Sequence, residues 1–175
     1  GFVVLGTATG IGGGSIRDAL LGNLPAFWVG DGRYLLTCFV VSSATFFLAH
    51  IPQSRYALVL RLDAIGLAIF AVVGAETALL AAAEPVAAVA MGVITATFGG
   101  IIRDVLGGES PVVLRKEIYV TAAFLGSAVY VGLVETDAGP AIATFCGFTT
   151  TLCVRLAALH WQWALPRYRP LRNSR

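Results

Sequence analysis

The sequence predicts an all-α polytopic membrane helix bundle, and three observations carry that prediction. Of 175 residues, 57% are apolar and only 13% charged, and the mean hydropathy is +0.81. A soluble domain carries about a quarter charged residues, so the polar side chains here are too few to cover a core in water. The apolar residues fall into six long stretches joined by short connections rich in Pro, Gly, Asp and Arg. A glycine-rich motif ending in Pro occurs twice, with its copies 86 positions apart.

The same numbers exclude other classes. Net charge is only +2, too small for a polyanion-binding face, so no nucleic-acid partner is expected. Cys38, Cys146 and Cys153 all lie inside apolar stretches. They read as small hydrophobes, not as disulfide or zinc partners. His50 and His160 have no partner at ligand spacing, and no Walker loop, nucleophile elbow or metal-binding motif is present. Neither an enzyme nor a bound cofactor or metal is therefore expected. Transmembrane β-strands would run about 10 residues with alternating polarity; these stretches are longer and do not alternate, so helices are expected.

A helix needs about 20 apolar residues to cross a bilayer core. The first span runs from Phe2 to about Leu21, interrupted by Gly10, Gly12, Gly13 and Gly14. The second runs from Tyr34 to Ile51 and is closed by Pro52. The third is Tyr56 to about Ala83, and the fourth Pro85 to about Leu106, interrupted by Gly99 and Gly100. The fifth is Glu117 to Val134 and the sixth Pro140 to about Leu165. Residues 167–175 form a basic tail with Arg167, Arg169, Arg172 and Arg175. Trp28, Trp161 and Trp163 read as interface anchors.

Lys and Arg in short loops mark the cytoplasmic side. The side on which the chain begins carries Arg55, Arg115, Lys116 and the basic tail. The other carries Arg33 among Asp31, Glu84, Glu135 and Asp137. Both chain ends are therefore expected in the cytoplasm, with the protein in the cell (inner) membrane.

The repeat is more informative than any single residue. Gly13-Gly14-Ser15-Ile16-Arg17-Asp18, followed by Leu20, Gly22 and Pro25, matches Gly99-Gly100-Ile101-Ile102-Arg103-Asp104, followed by Leu106, Gly108 and Pro111. The copies lie on spans one and four. An odd number of spans separates them, so they cross the membrane in opposite senses, as an inverted repeat. Spans three to five, residues 56–135, form the second copy. Residues 1–55 hold the remainder of the first, 139–166 the final helix, and 167–175 the cytoplasmic tail. A helix preceding span one is then expected, giving seven spans as three, three and one.

Isolated glycines in spans usually serve close helix packing. Gly66, Gly126, Gly132, Gly147 and the Gly74–Ala78 pair are read that way. Gly12-Gly13-Gly14 and Gly99-Gly100 are read as kinks or unwound turns, tolerated at membrane depth only beside protein or water. At 1.5 Å rise per residue, Gly13 lies about 17 Å from Phe2 and Gly99 about 21 Å from Pro85, so both fall near the middle of a core about 30 Å thick. Freed backbone groups there could replace part of an ion's hydration shell. Ser15, Thr7, Thr9, Thr95 and Thr97 add hydroxyls nearby, although bonding back to their own helix is the commoner role.

Arg17-Asp18 and Arg103-Asp104 follow the glycines. Charges within spans usually face protein or water. Neighbours on a helix point about 100° apart, so each pair is expected to cross-pair with other helices. A structural ion-pair network and a place on an aqueous pathway are both open readings. Asp63 could brace a broken helix, and Glu76 approaches the far interface. Arg115 and Lys116 read as positive-inside anchors, or as a lipid-headgroup or gating site.

Gly12-Gly13-Gly14-Ser15-Ile16-Arg17-Asp18, with Leu62-Asp63-Ala64-Ile65-Gly66-Leu67 and Gly99-Gly100-Ile101-Ile102-Arg103-Asp104-Val105-Leu106, resembles the prokaryotic branch of the trimeric intracellular cation (TRIC) channel family. Leu114-Arg115-Lys116-Glu117 resembles it too. The resemblance implies a homotrimer in membrane lipid, with one pore per protomer lined by two glycine-kinked helices. Spans one and four match those helices. It implies permeation of monovalent cations, K⁺ above all with Na⁺ as a second candidate. Gly12, Gly13, Gly14, Gly99 and Gly100 are then hinge positions, with the Arg-Asp pairs beside them. A secondary transporter for a small solute such as glycine is the alternative; a structural or lipid-binding membrane protein is a third class.

Overall fold

Glycine and proline punctuate the chain. Gly22 takes a left-handed conformation (φ 72°) and ends the first helix, its N–H turned back to the Ala19 and Asp18 carbonyls. Pro85 and Pro140 open two later helices, where a missing N–H costs nothing. A computed structural model describes residues 1–48, 56–108 and 118–163. The helices are α1 (Phe2–Leu21), α2 (Phe27–Gly30), α3 (Arg33–Leu48), α4 (Tyr56–Leu80), α5 (Pro85–Leu106), α6 (Val120–Glu135) and α7 (Pro140–Trp161). The described residues contain no strand.

Several limits differ from expectation. α4 stops at Leu80 rather than about Ala83, because Ala82 turns to positive φ (58°) and ends the helix. α6 starts at Val120, and the expected start at Glu117 lies outside the described residues. The four-residue α2 was not foreseen. By length and apolarity alone, Leu60–Leu80, Pro85–Leu106 and Pro140–Trp161 suffice to cross a membrane. α6, at 16 residues, spans about 24 Å at helical rise, and α3 is described over 16 residues, to Leu48. α1 is diluted by glycines, hydroxyls and Arg17-Asp18.

The larger correction concerns α1 and α5. Both remain helical through Gly12–Gly14 and Gly99–Gly100, so the expected unwound turns are absent. The carbonyls there stay in the helical ladder, and the missing side chains serve another purpose, described below.

α5 lies centrally, packed against α1, α4 and α6, while α7 packs against α4 and α6 and α3 against α1. The interior is built from small residues: Ala64, Ala68, Ala71, Ala75, Ala78, Ala88, Ala122 and Ala143 are fully buried. Large apolar side chains such as Phe39, Val40, Ile69, Phe124 and Phe145 face outward. This inside-out distribution suits a lipid solvent, where close backbone approach replaces hydrophobic burial between helices. Gly126 and Gly147 illustrate it: a Cβ on Gly126 would lie 2.7 Å from the Gly147 carbonyl oxygen, and one on Gly147 would lie 3.0 Å from the Gly126 oxygen. Gly74 likewise seats α4 on Met91 and Thr95 of α5. Gly66 and Gly132 do not fit the packing expectation, because a Cβ on either meets open space.

Candidate functional site

The motif copies meet where α1 crosses α5. A Cβ on Gly13 would collide with the carbonyl oxygen of Thr95, and a Cβ on Gly99 with that of Thr9. The two contacts exchange residues at the repeat offset, Thr9 for Thr95 and Gly13 for Gly99. The threonine before each glycine motif faces a glycine of the other, and because residue 9 meets 99 while 13 meets 95, the helices run antiparallel. Gly12 adds Ile102, 2.7 Å from its would-be Cβ, and the Gly99 Cα at 3.8 Å. Backbone thus meets backbone, which only glycine permits.

The hydroxyls beside the crossing are turned inward on their own helices. Thr9 donates to the Leu5 carbonyl (2.7 Å), Ser15 to Ile11 (2.7 Å), Thr95 to Met91 (2.7 Å) and Thr97 to Val93 (2.8 Å). Thr95 and Thr97 are buried. These bonds satisfy each O–H donor and leave its lone pairs to accept.

The charged pairs flank the crossing at opposite ends and do not meet each other. Arg17 reaches around its own helix, Nε and Nη2 donating to Asp18 Oδ1 at 2.9 and 2.7 Å. Arg103 does the same to Asp104 Oδ1 at 3.0 and 2.9 Å. Each arginine thus bonds the aspartate beside it on its own helix, where pairing with another helix was expected. An arginine side chain is long enough, and its guanidinium fork wide enough, to bridge the angle between adjacent helical positions. With the crossing centred near Ile11 and Thr97, each pair lies about 9 Å along the axis from it.

The ends differ in closure. Asp18 Oδ2 accepts the Phe27 N–H of α2 (2.9 Å), and the Phe27 ring covers both Gly14 and the Arg17 guanidinium, 5.7 Å from its centroid. Trp28 Nε1 donates to Ser15 Oγ (2.9 Å). Arg17 and Asp18 are accordingly buried, whereas the Arg103 side chain is 39% exposed above a buried Asp104. Beyond α2, outside the spans, Arg33 donates to Asp31 at 2.7–2.9 Å and holds that carboxyl below its usual pKa.

Sequence reasoning passed over part of the second end. The Tyr119 hydroxyl donates to Asp63 Oδ1 of α4 (3.5 Å), and the Tyr119 hydroxyl oxygen lies 3.8 Å from a would-be Cβ on Gly100. Arg155 of α7, 1% exposed, places its guanidinium 4.9 Å over the Tyr119 ring. The structure therefore gathers Asp63, Gly100 and Arg103 with Tyr119 and Arg155. An ionisable residue inside a span was the available signal for Arg155. For Tyr119, Phe27 and Trp28 nothing local distinguishes them from interface aromatics. Arg115 and Lys116 lie outside the described residues, as does the basic tail. Among the described residues no His, Cys, Asp and Glu cluster could hold a metal ion.

Comparisons with known proteins bear on this arrangement. The sequence family described as "Glycine transporter" matches residues 1–50 and 60–135. The inner membrane protein YadS of Escherichia coli (strain K12) is 44% identical over 177 residues, spanning 100% of this chain and 86% of that protein. A membrane protein of Vibrio cholerae is 40% identical over 169 residues, covering 96% and 71%. Among solved structures, the TRIC trimeric intracellular cation channel orthologue from Rhodobacter sphaeroides superposes with a TM-score of 0.86 at 51% identity, covering 92% of each chain. A second structure, from work on conductance through TRIC cation channels, gives a TM-score of 0.89 at 38% identity, covering 96% of this chain and 83% of that one.

Proposed function

The chain belongs to the trimeric intracellular cation channel family, prokaryotic branch, and on that premise we propose that it is a passive channel for monovalent cations, K⁺ first. The carrying observation is the reciprocal contact of Gly13 with Thr95 and Gly99 with Thr9, flanked at equal distances by Arg-Asp pairs. Two antiparallel helices related in this way place an arginine-paired aspartate at either end of the crossing. Touching backbones leave no passage between α1 and α5 at their crossing. Conduction then requires the helices to part, hinging at Gly12–Gly14 and Gly99–Gly100. Asp18 and Asp104 supply negative charge at the two ends, each balanced by its neighbouring arginine.

The finer features of this reading belong together. Each protomer of a homotrimer carries its own pathway, Thr95, Thr97 and Ser15 line it, and both chain ends face the cytoplasm. Residues 1–55 and 56–135 are inverted repeats. A like contact supports this beyond the crossing: a Cβ on Gly6 would strike Ser42 Oγ, and one on Gly92, 86 positions on, would strike Ser127 Oγ, 85 positions after Ser42.

Purified protein in planar bilayers should pass K⁺ current that is cation-selective under a KCl gradient. Gly13→Ala and Gly99→Ala should each change its open probability, because a Cβ props the crossing apart. A wild-type bilayer without cation current overturns the reading. The printed description of the matched family favours a second one, secondary transport of glycine. It requires saturable, competable glycine uptake into proteoliposomes, which a passive cation channel does not show.

A further inference from the structure

A groove of about 560 Å³ lies between α4 and α7, away from the α1–α5 crossing. Its walls are Ile69, Val72 and Val73 of α4 and Phe145 and Phe148 of α7, and one acidic residue, Glu76, borders it. Val73 and Phe145 are exposed and Glu76 is half-buried. No described residue forms an ion pair with Glu76.

Position decides what could fill this groove. Glu76 precedes the end of α4 at Leu80 by four residues, about 6 Å along the helix. Pro140, the first residue of α7, lines the same end. The carboxylate therefore sits at one boundary of the bundle. From there the apolar walls run inward about 12 Å, the rise from Pro140 to Phe148. A carboxylate against an apolar wall is costly until a cation meets it. The volume is within the usual range of small-molecule sites, roughly 300–1,000 Å³.

We propose that this groove binds an ethanolamine phospholipid of the surrounding membrane, its ammonium on Glu76 and an acyl chain between α4 and α7. The ammonium offers several N–H donors to the carboxylate, making charge-assisted hydrogen bonds. A choline headgroup has no N–H to give. A glycerol headgroup leaves its phosphate charge uncompensated, facing Glu76. The chain removes the Phe145 and Val73 surfaces from a loosely filled hollow.

The test is native mass spectrometry of the whole protein from nanodiscs holding equal amounts of phosphatidylethanolamine, phosphatidylcholine and phosphatidylglycerol. The wild type should retain the ethanolamine lipid about tenfold over the other two, the discrimination of one charge-assisted hydrogen bond. Glu76→Gln should abolish the preference while lipid is still retained, and Val73→Trp, which fills the groove, should remove the bound lipid of every class. An undiminished preference in Glu76→Gln overturns the proposal, as does unchanged retention in Val73→Trp. A wild type that favours choline or glycerol lipid also overturns it. So does a change of oligomeric mass in either variant with the lipid pattern unaltered, since the groove would then be a contact between chains. Bound lipid is read independently of current, so this outcome stands apart from the channel reading.

Discussion

Asp18 serves three groups at once: two guanidinium nitrogens of Arg17 and the Phe27 backbone N–H. Both Arg17 and Asp18 are nearly inaccessible. Removing the charge of Asp18 leaves a buried guanidinium without its counter-ion, which costs about 3–5 kcal/mol. At the other end Arg103 can turn toward the outside, because its side chain is 39% exposed. Asp18→Asn should therefore lower the melting temperature in detergent well beyond Asp104→Asn. Equal shifts would show that α2 does not seal the first end. The asymmetry was invisible in the sequence, where both pairs read Arg-Asp after Gly-Gly. It depends on where residues 23–30 fold, and that is set by the left-handed turn at Gly22 and the return of Phe27 over Gly14.

At the scale of the helix, glycine content by itself does not say what a glycine does. Gly13 and Gly99 face carbonyl oxygens of another backbone, while Gly66 and Gly132 face open space. A carbonyl cannot rotate away as a side chain can, so a Cβ there must move a helix, at about 1–3 kcal/mol for overpacking. Gly13→Ala and Gly99→Ala should each destabilise by that amount. Gly66→Ala and Gly132→Ala should be neutral, or stabilising by up to about 1 kcal/mol from helix propensity. Thermal unfolding of the four variants in one detergent checks this; a loss at Gly66 matching that at Gly13 would defeat it. Element existence was legible: the long apolar runs fixed six helices, with α1 and α5 within a residue of expectation. Continuity was not. A glycine run is compatible with an unwound turn and with an intact helix pressed against a neighbour, and the sequence does not contain the neighbour's position.

For the whole molecule, the constant offset of 86 between motif copies reappears in space as matched contacts, Gly13 to Thr95 with Gly99 to Thr9. α7 stands outside this symmetry, yet it brings Arg155 to Tyr119 and borders the groove with Glu76. The homotrimer reading predicts a native mass of three chains, and a monomer in mild detergent and in nanodiscs would refute it. A reporter fused after Arg175 should be active only in the cytoplasm if the loop arginines set the orientation. The sequence by itself determined the solvent: too few charges for water and long apolar runs require a membrane helix bundle. The tertiary structure decided which atoms touch. It turned presumed breaks into a backbone contact, turned cross-helix charge pairs into neighbours bonded along one helix, and brought Tyr119 and Arg155 to Asp63. Periodicity and spacing act along one chain segment, whereas these contacts depend on the register of helices far apart in sequence, and side-chain reach then selects the partner.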